Sequence, residues 1–270
     1  MKKYNRVLAI AGSDSGGGAG IQADIKTISA CGCFATTAIT AITAQNTVGV
    51  TDIHPIPIST IKKQIEAVLE DIGTDSIKIG MLHNSETIIA VRNVLKQFKI
   101  TNIVLDPVMV STSGNNLLQT EAINTLKNEL IPNVRVITPN IYEAEILLGE
   151  KIISQKNFPE YARNLASKYK VSVLLKAGHL DDNDLIDVFF NLETNEILEL
   201  KSQRITTKNT HGTGCTLSSA LAAFLAQGLD LNVAVQRAKN YINKAIISGA
   251  DYSIGKGHGP VNHFYKYWNK

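Results

Sequence analysis

The chain has few cysteines, no long apolar run and no massed charge of one sign, and each shortage removes a class of protein. Its three cysteines, two of them in Cys31-Gly-Cys33, make neither an even disulfide framework nor a zinc-ligand spacing. A reducing, cytoplasmic setting is therefore expected. No stretch approaches about 18 uninterrupted apolar residues, so no membrane span is expected. The basic start at residues 1–6 leads into an apolar run, Val7 to Ala11, that is too short for a secretory signal and soon meets Asp14. A net charge of +3 with scattered lysines gives no footprint for nucleic acid or an anionic membrane. No linker, repeat or low-complexity run divides the 270 residues, and one domain spanning 1–270 is expected. What remains is ordinary globular composition, 44% hydrophobic and 19% charged, ample for a large core.

Two glycine turns stand out against that background. In Thr210-His-Gly-Thr-Gly-Cys-Thr216 a Gly-Thr-Gly turn runs into a small-residue helix, read over 216–227 and closed by Gly228. Amides at such a start lack intrahelical partners and the macrodipole favours negative charge, so phosphate is the expected guest. Cys215 is read in the first turn of that helix, where a thiol pKa lowered by the dipole and by nearby cations makes a proton acceptor or nucleophile; the alternative is a packing cysteine. The second turn follows an apolar strand, Arg6 to Gly12, and contains Ser13, Asp14, Ser15, Gly16, Gly17, Gly18, Ala19 and Gly20. A helix follows, with Ile21, Ile25 and Ile28 as its apolar rhythm. The spacing departs from the dinucleotide fingerprint. The two turns read better as a substrate loop facing a phosphate loop.

Apolar β-branched runs recur at 7–11, 36–43, 76–79, 103–105, 134–137 and 173–175. Helical periods occupy 59–72, 85–98, 120–130, 143–148, 159–169, 216–227 and 232–248, and a hairpin is expected at 187–191 and 196–200. This alternation predicts an α/β fold whose mostly parallel sheet is buried on both faces. In such sheets ligands collect at the carboxyl ends of the strands, where nearly all the polar motifs fall.

The segment Ala11-Gly-Ser-Asp-Ser-Gly-Gly-Gly-Ala-Gly-Ile-Gln-Ala-Asp-Ile-Lys26 closely resembles the hydroxymethylpyrimidine/phosphomethylpyrimidine kinases of thiamine biosynthesis, members of the ribokinase-like superfamily. The likeness continues through Thr43-Ala-Gln-Asn46, Lys78-Ile-Gly-Met-Leu82, Leu105-Asp-Pro-Val-Met-Val110, Thr138-Pro-Asn140 with Glu143, Leu175-Lys-Ala-Gly-His179, Thr210 to Cys215, and Gly257-His-Gly-Pro-Val-Asn262. The resemblance implies a three-layer ribokinase-like fold, with helices on both faces of the sheet, and phosphorylation of an aminopyrimidine's hydroxymethyl group by ATP with Mg²⁺, once and then again to the diphosphate. It also implies a homodimer.

Residue by residue, the resemblance puts Asp24 and Gln45 in hydrogen-bonding positions around the pyrimidine: a carboxylate accepts from an exocyclic amine, and an amide offers donor and acceptor side by side. Gly12, Met81 and Val108 would supply a close backbone approach and apolar walls. Gly212, Thr213 and Gly214 would donate backbone N–H groups to the transferred phosphoryl group, with Thr213 and Asn140 also on the nucleotide side. Cys215 stands where many superfamily members carry an aspartate, as acceptor of the substrate hydroxyl proton. Lys176 would neutralise ATP phosphates, while Glu143 and Asp106 would hold Mg²⁺ directly or through water. Glu143 at a helix start also suits plain dipole compensation. Departures are few: Ala177 where a second glycine is common, and Asn115 where an aspartate is frequent. Pyridoxal kinase is the nearest rival, disfavoured by Gln45. A non-catalytic dinucleotide module is a more distant one, which leaves the Cys215 turn and Lys176 unexplained.

Overall fold

The computed structural model describes residues 2–109, 117–178 and 183–268. Within them the strands are β1 (Arg6–Asp14), β2 (Phe34–Gln45), β3 (Val50–Pro55), β4 (Ser76–Ile79), β5 (Ile103–Leu105), β6 (Val136–Ile137), β7 (Ser172–Leu175), β8 (Asp184–Asn191) and β9 (Glu196–Gln203). They form one sheet in the order β3-β2-β1-β4-β5-β6-β7-β8-β9. From β2 to β7 every pairing is parallel, and the antiparallel strands β3, β8 and β9 lie at the two edges. The expected α/β class and hairpin are found. β3 was not foreseen, because its Val-Thr-Asp-Ile-His-Pro is half-exposed and has no apolar face to reveal it. The positions of Val110, of Asn115 after Ser113-Gly114, and of His179 fall outside the described residues.

The helices are α1 (Gly20–Ala30), α2 (Ile58–Ala67), α3 (Ser85–Gln97), α4 (Ala122–Thr125), α5 (Ile141–Leu148), α6 (Phe158–Tyr169), α7 (Thr213–Ala226), α8 (Leu231–Gly249) and α9 (Tyr265–Trp268). They cover the sheet on two sides, and the period of two sorts strand residues between them. Leu8, Ile10, Ile77, Ile79, Ile103, Leu105 and Ile137 enter a core closed by α2 to α6. Val7, Ala9, Ala11, Val104, Val136 and Leu174 enter the other, closed by α1, α7 and α8. That second core is rich in alanine: Ala220, Ala222, Ala223, Ala234, Ala238 and Ala245 let the helices approach closely.

One helix boundary and one helix face differ from expectation in ways that bear on the site. α7 starts at Thr213, three residues early, and Cys215 lies in its first turn, as expected. On α1 the buried face is Ile21, Asp24, Thr27 and Ile28, whereas Ile25 is 39% exposed. The apolar rhythm assigned to Ile25 belongs instead to an aspartate.

Candidate active site

The two glycine turns meet. Gly212, the residue before α7, has φ +77°, a conformation that disfavours side chains, and a Cβ there would strike the Gly18 carbonyl. A Cβ on Gly18 would in turn strike the His211 ring. Asp14 ties the first turn together: its carboxylate accepts from the amides of Gly16 (2.8 Å), Gly18 (3.1 Å) and Ala19 (2.8 Å), and it meets His211 Nε2 at 2.8 Å. Burial opposes the Asp14 charge, but His211 and these amides together hold the carboxyl below its ordinary range. Neither Asp14 nor His211 was singled out as a site residue from sequence. The signal was an aspartate opening a glycine loop, the usual arrangement for capping amides through an Asx turn.

Gln45, at the end of β2, turns its amide toward this junction. Its Oε1 accepts from Thr43 Oγ1 at 3.1 Å and its Nε2 lies 3.4 Å from His211 Nε2. Gly12 and Met81 are neighbours, since a Cβ at Gly12 would sit 3.0 Å from the Met81 sulfur. Both are buried, and Val108 is half-buried just beyond β5. The residues expected around a flat heterocycle therefore end β1, β2, β4 and β5 on the same edge of the sheet.

The phosphate side is built on the start of α7. The first intrahelical bond runs from Thr216 N–H to the Gly212 carbonyl at 2.9 Å, so the amides of Gly214 and Cys215 precede it. Thr213 N–H instead bonds the Thr210 carbonyl at 3.3 Å. Of the donors expected from Gly212 to Gly214, Thr213 is thus engaged inside the turn, while the amides of Gly214 and Cys215 stand ahead of the first intrahelical bond.

Beneath this turn runs a chain of buried charge. Lys78 Nζ contacts both oxygens of Asp24, at 2.8 and 2.9 Å, and Asp24 Oδ1 also accepts from Ser219 Oγ at 2.7 Å. All three are buried. Asp24, expected to face a substrate amine, has its carboxylate enclosed here and engaged by Lys78 and Ser219. Further along, Lys176 Nζ meets Asp106 Oδ1 at 3.0 Å, and the same oxygen accepts from Thr138 Oγ1 at 3.0 Å. Glu143 is buried beside them, and its neighbours include Lys176 and Asp106.

Glu143 and Asn140 form a capping box on α5: Asn140 N–H donates to Glu143 Oε2 at 2.8 Å, and Glu143 N–H donates to Asn140 Oδ1 at 3.0 Å. The helix-start role is therefore present alongside the proximity to Lys176. Burial raises the Glu143 carboxyl to about 7 against the pull of Lys176, with Asp106 reinforcing the rise.

Cys215 departs from expectation in its charge state. Burial pushes its thiol up to about 11; Lys78 and a hydrogen bond from the Gly20 amide pull it down, while Asp24 and Asp106 push it further up. Desolvation outweighs the helix dipole, and the sulfur is protonated at neutral pH.

Among the described residues no group of three or more His, Cys, Asp or Glu side chains is gathered to enclose a metal. The paired carboxylates of Asp106 and Glu143 instead suit a hydrated Mg²⁺, which binds through one or two carboxylates, waters and substrate phosphates. Nor, among the described residues, is any helix long and apolar enough to cross a membrane.

Comparison with known proteins gives a consistent set of matches. The family profile described as phosphomethylpyrimidine kinase matches residues 14–262. The chain is 47% identical over 266 residues to the hydroxymethylpyrimidine/phosphomethylpyrimidine kinase of Haemophilus influenzae, covering 98% of each. It is likewise 47% identical over 257 residues to the thiamine biosynthesis bifunctional protein ThiED of Geobacter sulfurreducens; there it covers 95% of this chain and 52%, about half, of the relative. A solved structure of Bacillus subtilis pyridoxal kinase in an ADP complex superposes with a TM-score of 0.89 at 35% identity, covering 99% of this chain and 100% of that one.

Proposed function

Because the chain belongs to the phosphomethylpyrimidine kinase family, a membership carried by residues 14–262, we propose that it transfers the γ-phosphoryl group of ATP to the hydroxymethyl group of 4-amino-5-hydroxymethyl-2-methylpyrimidine and then phosphorylates the monophosphate to the diphosphate. The observation that carries this reading is the meeting of the two glycine turns, which sets a hydrogen-bonding pocket edge directly against a helix start. Gln45 reads the aminopyrimidine ring, with Gly12, Met81 and Val108 as close backbone and apolar walls. Asp24 supports that pocket from behind, through Lys78.

In the transfer, the amides of Gly214 and Cys215, with Gly212 and Thr213 shaping the turn, hold the charge spreading over the phosphoryl oxygens. Lys176 leaves Asp106 to meet the nucleotide phosphates, a displacement open to a side chain that is 15% exposed. The thiolate fraction of Cys215 takes the proton of the acceptor oxygen as it attacks. Since the thiol ionises near 11, Cys215 mainly orients the hydroxyl at neutral pH and its basic fraction grows as pH rises. When bound, Mg²⁺ would neutralise phosphate charge, and Glu143 and Asp106 would hold its waters, with Asn140 keeping Glu143 aimed. A cytoplasmic homodimer is part of the same reading.

An ADP-release assay with hydroxymethylpyrimidine, its monophosphate and pyridoxal in parallel tests the proposal. Turnover with both pyrimidines at an efficiency above that for pyridoxal is expected. A preference for pyridoxal, the activity named for the Bacillus subtilis structure, would replace this reading.

A further inference from the structure

Lys78 has no part in the chemistry described so far, yet its placement is costly. Ile77 and Ile79 on either side of it enter one apolar core, and its register partners Ala9 and Val104 line the other. An ammonium in such a position must be paired. The structure supplies Asp24 at 2.8 and 2.9 Å and leaves the lysine 0% exposed. Gly80 makes room for it, since a Cβ there would lie 2.8 Å from Nζ.

The pair is aimed at the helix that begins with the thiol. Ser219, which bonds Asp24 at 2.7 Å, lies four residues after Cys215 on α7 and therefore on the same helix face. Lys78 and Cys215 are close enough for each to feel the other's charge, and the other charged groups around the sulfur are Asp24 from α1, Asp106 from the end of β5 and Lys176 from the end of β7. Of the two lysines, Lys176 is the one with an outlet to the pocket. Lys78 is fixed.

We propose that Lys78 is a positioning residue for the acceptor chemistry: its ammonium, clamped by Asp24 and Ser219, is the permanent counter-charge of the Cys215 sulfur. In the thiolate form of Cys215, the minor form at neutral pH, the acceptor hydroxyl passes its proton to sulfur as it attacks phosphorus, the new O–P bond forms, and the bond to the ADP oxygen breaks with its electron pair leaving on ADP. The thiol later returns the proton to solvent. Lys78 stays charged throughout, so the sulfur can be an anion before transfer and neutral after it without any rearrangement of the pair. This inference rests on Cys215 acting in proton transfer, but its test reads the thiol directly and does not need turnover.

The test is the pH dependence of Cys215 alkylation by iodoacetamide, followed by peptide mass analysis, with Cys31 and Cys33 as internal reporters of intact packing. Lys78→Met is expected to raise the alkylation midpoint by about one unit or more, slowing the reaction at pH 9 about tenfold. Asp24→Asn, which frees the ammonium from its own counter-ion, is expected to shift it the other way. If Lys78→Met fails to fold, as exposed Cys31 and Cys33 would report, the paired comparison of Asp24→Asn with Lys78→Arg, which keeps the charge and the wild-type midpoint, decides. Shifts of the same sign in Lys78→Met and Asp24→Asn, an Asp24→Asn midpoint unchanged or raised, or a Lys78→Arg midpoint moved as far as that of Lys78→Met would overturn the proposal. Opposed shifts combined with a fully active Cys215→Ala would keep the electrostatic role and reject the proton-transfer reading instead.

Discussion

Lys78 and Lys176 follow the same plan with different outcomes. Each belongs to or directly follows a central parallel strand, and each meets an aspartate within hydrogen-bonding distance. The Lys78 pair is sealed at 0% exposure on both sides, whereas Lys176 retains 15% and its aspartate 3%. A buried ion pair is a poor source of stability but a strong constraint, because removing one partner strands the other charge. Full enclosure makes a fixed field out of one lysine, and partial enclosure leaves the other able to exchange its aspartate for a phosphate. The same residue types at the same sheet edge thus divide into a support and a ligand.

Cys215, which stands between the two pairs, gives the largest expected effect. Cys215→Ala should lower kcat by about 10²- to 10⁴-fold with little change in pyrimidine KM, measured by steady-state ADP release. Cys215→Asp should recover part of the loss. In the wild type kcat should rise with pH, because the acceptor form of the thiol, half-populated only near 11, is gained as pH climbs; a flat profile would assign the sulfur to packing.

The next effect separates the lysines. Lys176→Met should cost about 10²- to 10³-fold in kcat, the usual scale for deleting one preorganised donor, and should raise the KM for ATP. Lys78→Met should leave the KM for ATP where it was. Equal effects on that constant would erase the distinction. Asp24→Ala, by stranding the Lys78 ammonium, should cost about 3–5 kcal/mol of stability in urea unfolding, and a joint Lys78→Met, Asp24→Leu variant should cost less than that single change.

Smaller effects lie at the pocket edge and at the α5 cap. Gln45→Met should shift the efficiency ratio between aminopyrimidine and pyridoxal roughly tenfold toward pyridoxal, the loss of hydrogen bonds worth about 1–3 kcal/mol. Glu143 titrates near 7 in the fold against 4.5 for the free carboxyl. Its contribution to stability is thus complete below about pH 4.5 and is lost as pH rises through 7. Glu143→Gln, which preserves the capping geometry, should flatten that part of the Tm-against-pH curve in calorimetry.

Much of this layout could be read from residues alone. Alternating apolar runs announced the parallel sheet, and glycine turns after strands announced the pocket edge, because both depend on local conformational limits. The buried charges were harder. Ser76-Ile-Lys-Ile79 reads as a strand with a solvated lysine unless one adds that a central parallel strand has no solvated face. Asp24 was displaced in the reading by Ile25, since a helical period judged by hydrophobicity alone passes over a carboxylate whose partner is 54 residues away. The thiol's charge state was missed for a related reason: the dipole at a helix start is visible in sequence, whereas the desolvation that outweighs it depends on what packs above.

In the proposed reaction one site carries both phosphorylations of the aminopyrimidine. Following the wild-type enzyme with hydroxymethylpyrimidine and excess ATP by ³¹P NMR addresses it directly. Monophosphate is expected to rise first and then convert to diphosphate, with both signals suppressed together in Cys215→Ala. Monophosphate that accumulates without diphosphate at long times, or diphosphate formation that survives loss of the thiol while the first step does not, would contradict it.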